Sequence, residues 1–255
     1  MRQAQDSAII RLSMHIREGK DFRTFPTVSG EVRIIPHKWQ FEDESIALTQ
    51  ASQIICGTNA QRVTLNKQVR QLFGHGPEPD STDKIIGLKN HWDNISDEGN
   101  ALTNGAIGTI IPVKHMIQTY PKTDRFKDFE DTDILLADFV TDDGDTFHGL
   151  PIDYKCLTTN ESSLTGAQEY KLGGYNKSIA QKIEKYGSSA YSPLLIPYSF
   201  NYGYAITCWK SQGSEYPYVL GYDCGWLKKK DPNEYTKYLY TLVTRAEKSV
   251  ILVGD

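Results

Sequence analysis

The chain has 255 residues, of which 39% are hydrophobic and 24% are charged, a balance that is typical of a globular protein and excludes a disordered or fibrous chain. Its length allows a sizeable core and suggests one large domain that carries a smaller inserted one. The net charge of -4, from 28 Lys and Arg against 32 Asp and Glu, excludes a surface that coats polyanions generally, so any contact with nucleic acid must be local.

The first predicted element is an amphipathic helix. Ser7 can cap a helix whose apolar side contains Ile9, Leu12 and Ile16, and Gly19 stands where helices commonly end. No signal-peptide core precedes this helix, and no run of about 18 apolar residues occurs anywhere in the sequence. We therefore expect a cytoplasmic protein.

The next segment is predicted to alternate strands and helices. In chain order we expect a strand at 32–35, a helix at 41–51, a strand at 53–57 and a helix at 60–73 with apolar positions at Val63, Val69 and Leu72. Thr58 and Asn59 fall in the turn after the second strand, where parallel α/β sheets hold their ligands. The same residues could simply cap the following helix, and the residues alone favour that interpretation.

From residue 84 to about 196 the pattern changes to short β-like runs, at 84–89, 106–113, 134–140 and 148–152. This pattern predicts a small β-barrel insertion. The acidic sequence Asp142-Asp143-Gly144-Asp145 indicates a hairpin turn rather than a metal site, because the further oxygen ligands of a calcium loop are absent. Residues 158–192 are polar, and we expect an exposed excursion with one helix at 178–186 and no assigned role.

After Pro197 the α/β pattern returns. We expect strands at 202–206, 218–221 and 250–253 and a helix at 233–244. The predicted architecture is a parallel sheet interrupted by the β-insertion. The four cysteines are far apart and lack metal-ligand spacing, so we expect reduced and mostly buried thiols at Cys56, Cys156, Cys208 and Cys224.

The sequence Tyr-Ala-Ile-Thr-Cys-Trp-Lys-Ser-Gln-Gly-Ser-Glu-Tyr at 204–216 places hydroxyl, basic and amide side chains directly after a strand. Backbone N–H groups at a helix start attract anions, Thr207 and Ser211 can donate hydroxyl groups, and Gly213 allows close approach. These features suit a phosphate group. A capped helix start explains the same residues equally well.

The sequence Thr-x-x-Lys-Ser-Gln-Gly-Ser-Glu after an apolar strand resembles motif V of superfamily 1 helicases, specifically of the superfamily 1B branch that contains RecD and Dda. The sequence at 238–254, where a helix ending in Val-Thr-Arg precedes a strand, similarly resembles motif VI. Near the start, Arg2 and Gln3 resemble the Arg-Gln pair of motif IV. Asn104-Gly105-Ala-Ile-Gly108 resembles the turn that opens the SH3-like insertion of this family, and Thr58-Asn59 resembles its single-strand contact loop.

This resemblance implies an α/β fold: a RecA-like sheet of the P-loop NTPase type, with an inserted small SH3-like β-barrel. Residues 1–83 would form the first part of the second RecA-like helicase domain, 84–196 the insertion, and 197–255 the remainder with motifs V and VI. The chain would thus be the carboxy-terminal motor domain of an ATP-dependent helicase that moves 5′ to 3′ on DNA.

The resemblance also implies roles at the nucleotide. Arg2 and Arg245 match arginines that reach ATP across a cleft, and a guanidinium group suits this task because it stays charged and bonds phosphate oxygens in a planar fork. Glu215 matches the acid near the ribose, and Gln3 and Gly213 lie beside the nucleotide. Alternatively, Arg245 is a cation at a helix end, Arg2 is a frayed terminal residue, and Glu215 and Gln3 are surface residues.

For DNA, the resemblance implies backbone contacts without base readout, made by Thr58, Asn59, Thr207, Lys210 and Ser211. Trp209 departs from the family, which usually has His there. This Trp could stack on a base or pack into the core, and packing is slightly favoured.

No G-x-x-x-x-G-K-[ST] sequence and no apolar strand ending in paired acids is present. We therefore expect that ATP and Mg²⁺ require a further domain or polypeptide with Walker A and B motifs, and that this chain does not hydrolyse ATP alone. A split gene, an internal start and a truncation remain open as origins. The alternatives to a motor half are a non-catalytic remnant that binds single-stranded DNA and an α/β protein-interaction domain.

Overall fold

The computed structural model describes residues 7–35, 41–187 and 191–254. The chain divides into two compact units, of which the first comprises the chain up to His75 and from Tyr204 onward, and the second comprises Gly76–Gly203. The predicted insertion at 84–196 lies inside the second unit. Among the described residues, no helix has the length and apolar composition needed to cross a membrane.

The helices are α1 (Ala8–Arg17), α2 (Phe41–Gln50), α3 (Asn59–Leu72), α4 (Tyr154–Thr159), α5 (Gly166–Tyr186), α6 (Gly225–Lys230) and α7 (Pro232–Val243). The strands are β1 (Val32–Ile35), β2 (Gln53–Cys56), β3 (Lys84–Gly87), β4 (His91–Ile95), β5 (Ala101–Leu102), β6 (Ile107–Gln118), β7 (Thr132–Thr141), β8 (Thr146–Asp153), β9 (Phe200–Tyr202), β10 (Ala205–Thr207), β11 (Tyr216–Tyr222) and β12 (Ala246–Val253). Single 3-10 turns occur at Phe22–Thr24 and Asp124–Phe126.

The first unit contains a five-stranded sheet in the order β1-β12-β11-β2-β10, and every neighbouring pair is parallel. The predicted α/β class with a parallel sheet is confirmed. Because all five strands run the same way, their carboxyl ends share one edge of the sheet and their amino ends share the other. The predicted site residues that the structure describes lie at or near these two edges.

Helix α1 begins as predicted, with the Ser7 hydroxyl accepting a hydrogen bond from the Ile9 amide. Helix α3 begins at Asn59, but its apolar side differs from the prediction: Val63 is exposed, and Leu65 and Val69 are buried in the core. Periodicity located the helix correctly, whereas the face that it buries depends on where α2 and the sheet pack.

The short strand β10 is held at the open edge of the sheet by a side chain of α3. The Asn66 amide nitrogen donates to the Ala205 carbonyl at 2.9 Å, and the Asn66 amide oxygen accepts from the Ala205 N–H at 2.9 Å. Asn66 is 3% exposed and Ala205 is fully buried. The side chain thus takes the place of a sixth strand and satisfies backbone groups that would otherwise be buried without partners.

The second unit contains an antiparallel sheet in the order β8-β7-β6-β3-β9 and a two-stranded sheet of β4 and β5. The backbone of Tyr198 accepts from the Asp153 N–H at 2.9 Å and donates to the Pro151 carbonyl at 2.6 Å, so the chain leading into β9 bonds to β8 at the opposite edge. The predicted turn at Asp142–Asp145 is confirmed, with Gly144 at φ +99°. The SH3-like barrel stays a prediction.

Two predictions for residues 158–206 differ from the structure. The helix expected at 178–186 is present and ends at Tyr186, but it begins earlier, at Gly166, as the 21-residue helix α5. This helix starts with a Thr165–Gln168 capping box and packs Leu172 against Phe126 and Leu164, so the expected exposed excursion is wrong. The expected strand at 202–206 is two strands, β9 and β10, which belong to different sheets. The first error arose because α5 is mostly polar and has only a narrow apolar stripe. The second arose because the end of β9 and the start of β10 form one apolar run in the sequence.

Candidate functional site

The structure brings the predicted DNA-contact residues of two motifs to the carboxyl edge of the parallel sheet. Thr58 and Asn59 follow β2, and Thr207 ends β10, its direct neighbour. Thr207 is paired with Cys56, and the Cys208 N–H donates to the Cys56 carbonyl at 3.0 Å. Segments that are about 150 residues apart in the sequence therefore form one continuous edge.

Thr58 has the capping role that the residues alone favoured. Its hydroxyl oxygen accepts from the Gln61 N–H at 3.1 Å, while Asn59 is exposed beside it. Arg62, which the sequence analysis missed, donates from Nε to the Asn59 amide oxygen at 3.3 Å. Its position three residues after Asn59, on the same helix face, was the available signal.

Lys210 and Arg62 lie close enough to interact. Burial and the Arg62 guanidinium lower the pKa of the half-buried Lys210 amine. Helix α3 runs antiparallel to strand β10, and its residue Asn66 bonds Ala205 at the start of that strand. Arg62 lies one helical turn before Asn66, so it is placed towards the carboxyl end of β10. Two cations from separate motifs are thus held near the predicted DNA-contact residues.

The segment after β10 does not start a helix. Residues 208–213 form successive turns, with the Ser211 N–H bonded to the Thr207 and Cys208 carbonyls at 3.2 Å. The Ser211 side chain is fully buried and its hydroxyl donates to the Cys208 carbonyl at 2.7 Å. The helix start expected here is therefore wrong. The hydroxyl of Ser211, one of the predicted DNA contacts, is bonded within the turn.

Trp209 does not pack into the core, so the packing predicted from the sequence is wrong. It is 55% exposed, and its ring leans on Tyr238 at a centroid distance of 6.3 Å with a 39° tilt. The tight turns on both sides of Trp209 bury Cys208 and Ser211 and leave the indole at the surface. The open indole face is available to stack on a planar group.

At the amino edge, Arg245 joins the end of α7 to the segment before β11. Its Nη1 donates to the Ser214 carbonyl at 2.9 Å, its Nε donates to the Thr241 carbonyl at 3.2 Å, and its Nη2 contacts the Thr244 hydroxyl at 3.4 Å. The contact with Thr241 is the helix-end interaction that was the alternative for this residue. A guanidinium has five N–H donors, so within the described part of the chain two remain for a phosphate oxygen.

Glu215 lies beside this arginine in the fold, because both of its chain neighbours bond Arg245. Ser214 accepts from Arg245, and the N–H of Tyr216 donates to the Arg245 carbonyl at 2.8 Å, so Glu215 is held between two contacts with the same residue. Glu215 and Gly213 are both exposed, and Gly213 has φ +92°, a conformation that favours glycine. Arg2 and Gln3 lie outside the described residues.

The four cysteines are free and buried, as predicted. Burial raises the pKa of Cys56 and of Cys208 to about 12, well above the value of about 8.5 for an unfolded chain. Since each thiol is held neutral in the fold, its stabilising contribution is complete below the unfolded pKa and is lost as the pH rises towards 12.

We therefore expect iodoacetamide at pH 8 to leave Cys56 and Cys208 unmodified in the native protein and to label both in urea. Mass spectrometry of peptides from the two conditions measures the difference. Rapid native labelling of Cys56 would contradict the buried position of this residue.

Residues 202–253 match the family model of the UvrD-like helicase C-terminal domain. This segment includes β10, the turns at 208–213, Arg245 and all of β12. The predicted recognition of a superfamily 1 helicase C-terminal domain is confirmed for this part of the chain, whereas the RecD and Dda branch stays a prediction.

The chain also matches solved structures of Pif1 helicases at low sequence identity. Pif1 from Candida albicans is 13% identical, with a TM-score of 0.48, and the match covers 99% of this chain and 54% of that one. Bacteroides Pif1 in complex with ADP-AlF3 and single-stranded DNA is 12% identical, with a TM-score of 0.42 and coverage of 98% and 50%. The chain thus spans about half the length of these helicases. No curated protein matches the chain.

Proposed function

We propose that this chain is the second motor domain of an ATP-dependent superfamily 1B DNA helicase of the RecD and Dda branch, moving 5′ to 3′ on single-stranded DNA. The observation that carries the proposal is the attachment of Arg245 to Ser214, beside Glu215. This contact joins the helix of motif VI to the segment of motif V. It also orients a guanidinium group that has further N–H donors for a phosphate. In the proposal, the antiparallel sheet of the second unit is the SH3-like insertion.

At the nucleotide, the proposal assigns Arg245 and Arg2 as arginine fingers. ATP and Mg²⁺ would be held by a separate domain with Walker motifs, and the arginines would stabilise the charge that develops on the transferred phosphoryl group. Glu215 would bond the ribose, with Gln3 and Gly213 next to the nucleotide. The contact with Ser214 supports this role for Arg245, because a guanidinium that is already oriented loses less freedom when it binds a phosphate.

At DNA, the proposal places the sugar-phosphate backbone along the carboxyl edge, on Thr58, Asn59, Thr207 and Lys210. Arg62 joins this set because it bonds Asn59 and interacts with Lys210. A phosphate near these two cations would be attracted by both and would reduce the repulsion between them. Contacts of this kind do not depend on base identity, which suits a motor that moves along any sequence.

The proposal is tested by mixing the full chain with the Walker-containing first domain of the same helicase. We expect DNA-stimulated ATP hydrolysis in the mixture and none from this chain alone. If the chain binds single-stranded DNA but hydrolysis never appears, it is a DNA-binding remnant. If it binds no single-stranded DNA at low salt, a protein-interaction domain is the better account.

A further inference from the structure

A pocket of about 490 Å³ lies in the first unit beside the turns at 208–213. Its lining includes Trp209 and Gln212 from these turns and residues of helix α7 from Glu234 to Thr241. Arg17, at the end of α1, also lines the pocket. The volume lies within the range of small-molecule sites. The pocket lining begins at Cys208, the residue that follows Thr207 of the proposed DNA track.

The pocket offers a planar aromatic surface. Trp209 is 55% exposed and rests against Tyr238, which is 4% exposed and donates from its hydroxyl to the Tyr222 carbonyl at 2.6 Å. The buried tyrosine is fixed, so the indole has a rigid support on one side and an open face on the other. An indole held in this way can stack on a flat group, and it loses little freedom in doing so.

The polar groups around the indole suit a nucleotide unit. Gln212 is exposed and carries both a hydrogen-bond donor and an acceptor, which match the edge of a nucleobase. Glu234 and Lys237 form an ion pair at 2.6 Å, so their charges offset each other. Arg17, which is exposed, adds a positive charge at the rim, as one phosphodiester requires.

We infer that this pocket receives one nucleobase of the bound single strand, stacked on Trp209, with Arg17 contacting the adjoining phosphate. The inference rests on the proposed function for the presence of DNA, and it adds a contact to the base that the phosphate track does not make. Stacking on an indole accepts any base, so the contact adds affinity without sequence preference.

The test compares two ligands of equal length: oligo(dT) and an abasic strand with the same phosphates. Their binding to the full chain is measured by fluorescence anisotropy at low salt. We expect Trp209→Ala to weaken oligo(dT) binding about tenfold and to leave abasic binding unchanged. Trp209→Phe should retain most of the affinity. Trp226→Ala is the matched control, because Trp226 is 50% exposed on α6, away from the pocket lining.

Arg17→Ala should weaken the binding of both ligands and reduce the slope of log affinity against log salt concentration by about one. Arg11→Ala, at an exposed position of the same helix, should change neither the affinity nor this slope. Equal binding of oligo(dT) by wild type and Trp209→Ala would overturn the base pocket and leave the DNA-binding function intact. No binding of either ligand by the wild type would overturn both. Thermal unfolding of each variant checks its fold.

Discussion

Arg245→Ala is expected to reduce DNA-stimulated ATP hydrolysis by about a thousandfold or more in a mixture with the Walker-containing domain. An arginine finger acts on the charge that develops in the transition state, so its removal lowers the rate more than it weakens ATP binding. Arg245→Lys should rescue little, because an ammonium group lacks the planar fork. Steady-state hydrolysis and ATP binding, measured separately, give the two effects.

Arg245 also supports the fold, so its variants need a structural control. Loss of the bonds to Ser214 and Thr241 is expected to cost about 1 kcal/mol each in the free energy of unfolding. Arg11→Ala, at an exposed position on α1, should keep full activity and stability. If Arg245→Ala hydrolyses ATP within twofold of the wild type, Arg245 is only the cation at the end of α7.

Asn66→Ala is expected to lower the free energy of unfolding by about 2–6 kcal/mol, since two buried backbone groups of Ala205 lose their partners at about 1–3 kcal/mol each. The effect should be local as well as global. Among the strands that the structure describes, only β2 neighbours β10, so release of β10 would free the chain that positions Thr207 and Lys210. Urea unfolding and hydrogen exchange at the Ala205 and Cys208 amides measure the two effects.

Two matched variants make the Asn66 experiment specific. Asn66→Asp keeps an acceptor for the Ala205 N–H but loses the donor to the Ala205 carbonyl, so it should not restore stability. Lys67→Ala changes the next, exposed residue of α3 and should stay within about 0.5 kcal/mol of the wild type. If the amides of β10 exchange as slowly in Asn66→Ala as in the wild type, the role assigned to this side chain is wrong.

The sequence by itself determined the features that depend on neighbours along the chain. Hydrophobic periodicity and capping residues located α1, α3 and α7 and the strand Val32–Ile35, because a helix or strand is defined by which nearby positions are apolar. The order of residues from Thr207 to Glu215 and around Arg245 was sufficient to indicate a helicase C-terminal domain, which the match over 202–253 bears out.

Tertiary structure alone decided the features that depend on contacts between distant segments. Asn66 looks like an ordinary helix residue until β10 lies beside it, and the apolar run at 202–206 is divided because Gly203 packs against Ile85 in the second unit while Ala205 pairs with Ile54 in the first. Burial of Ser211 and exposure of Trp209 follow from a turn where the local pattern favoured a helix. Local sequence limits backbone conformation, but burial and hydrogen-bond partners are set by which elements meet across the fold.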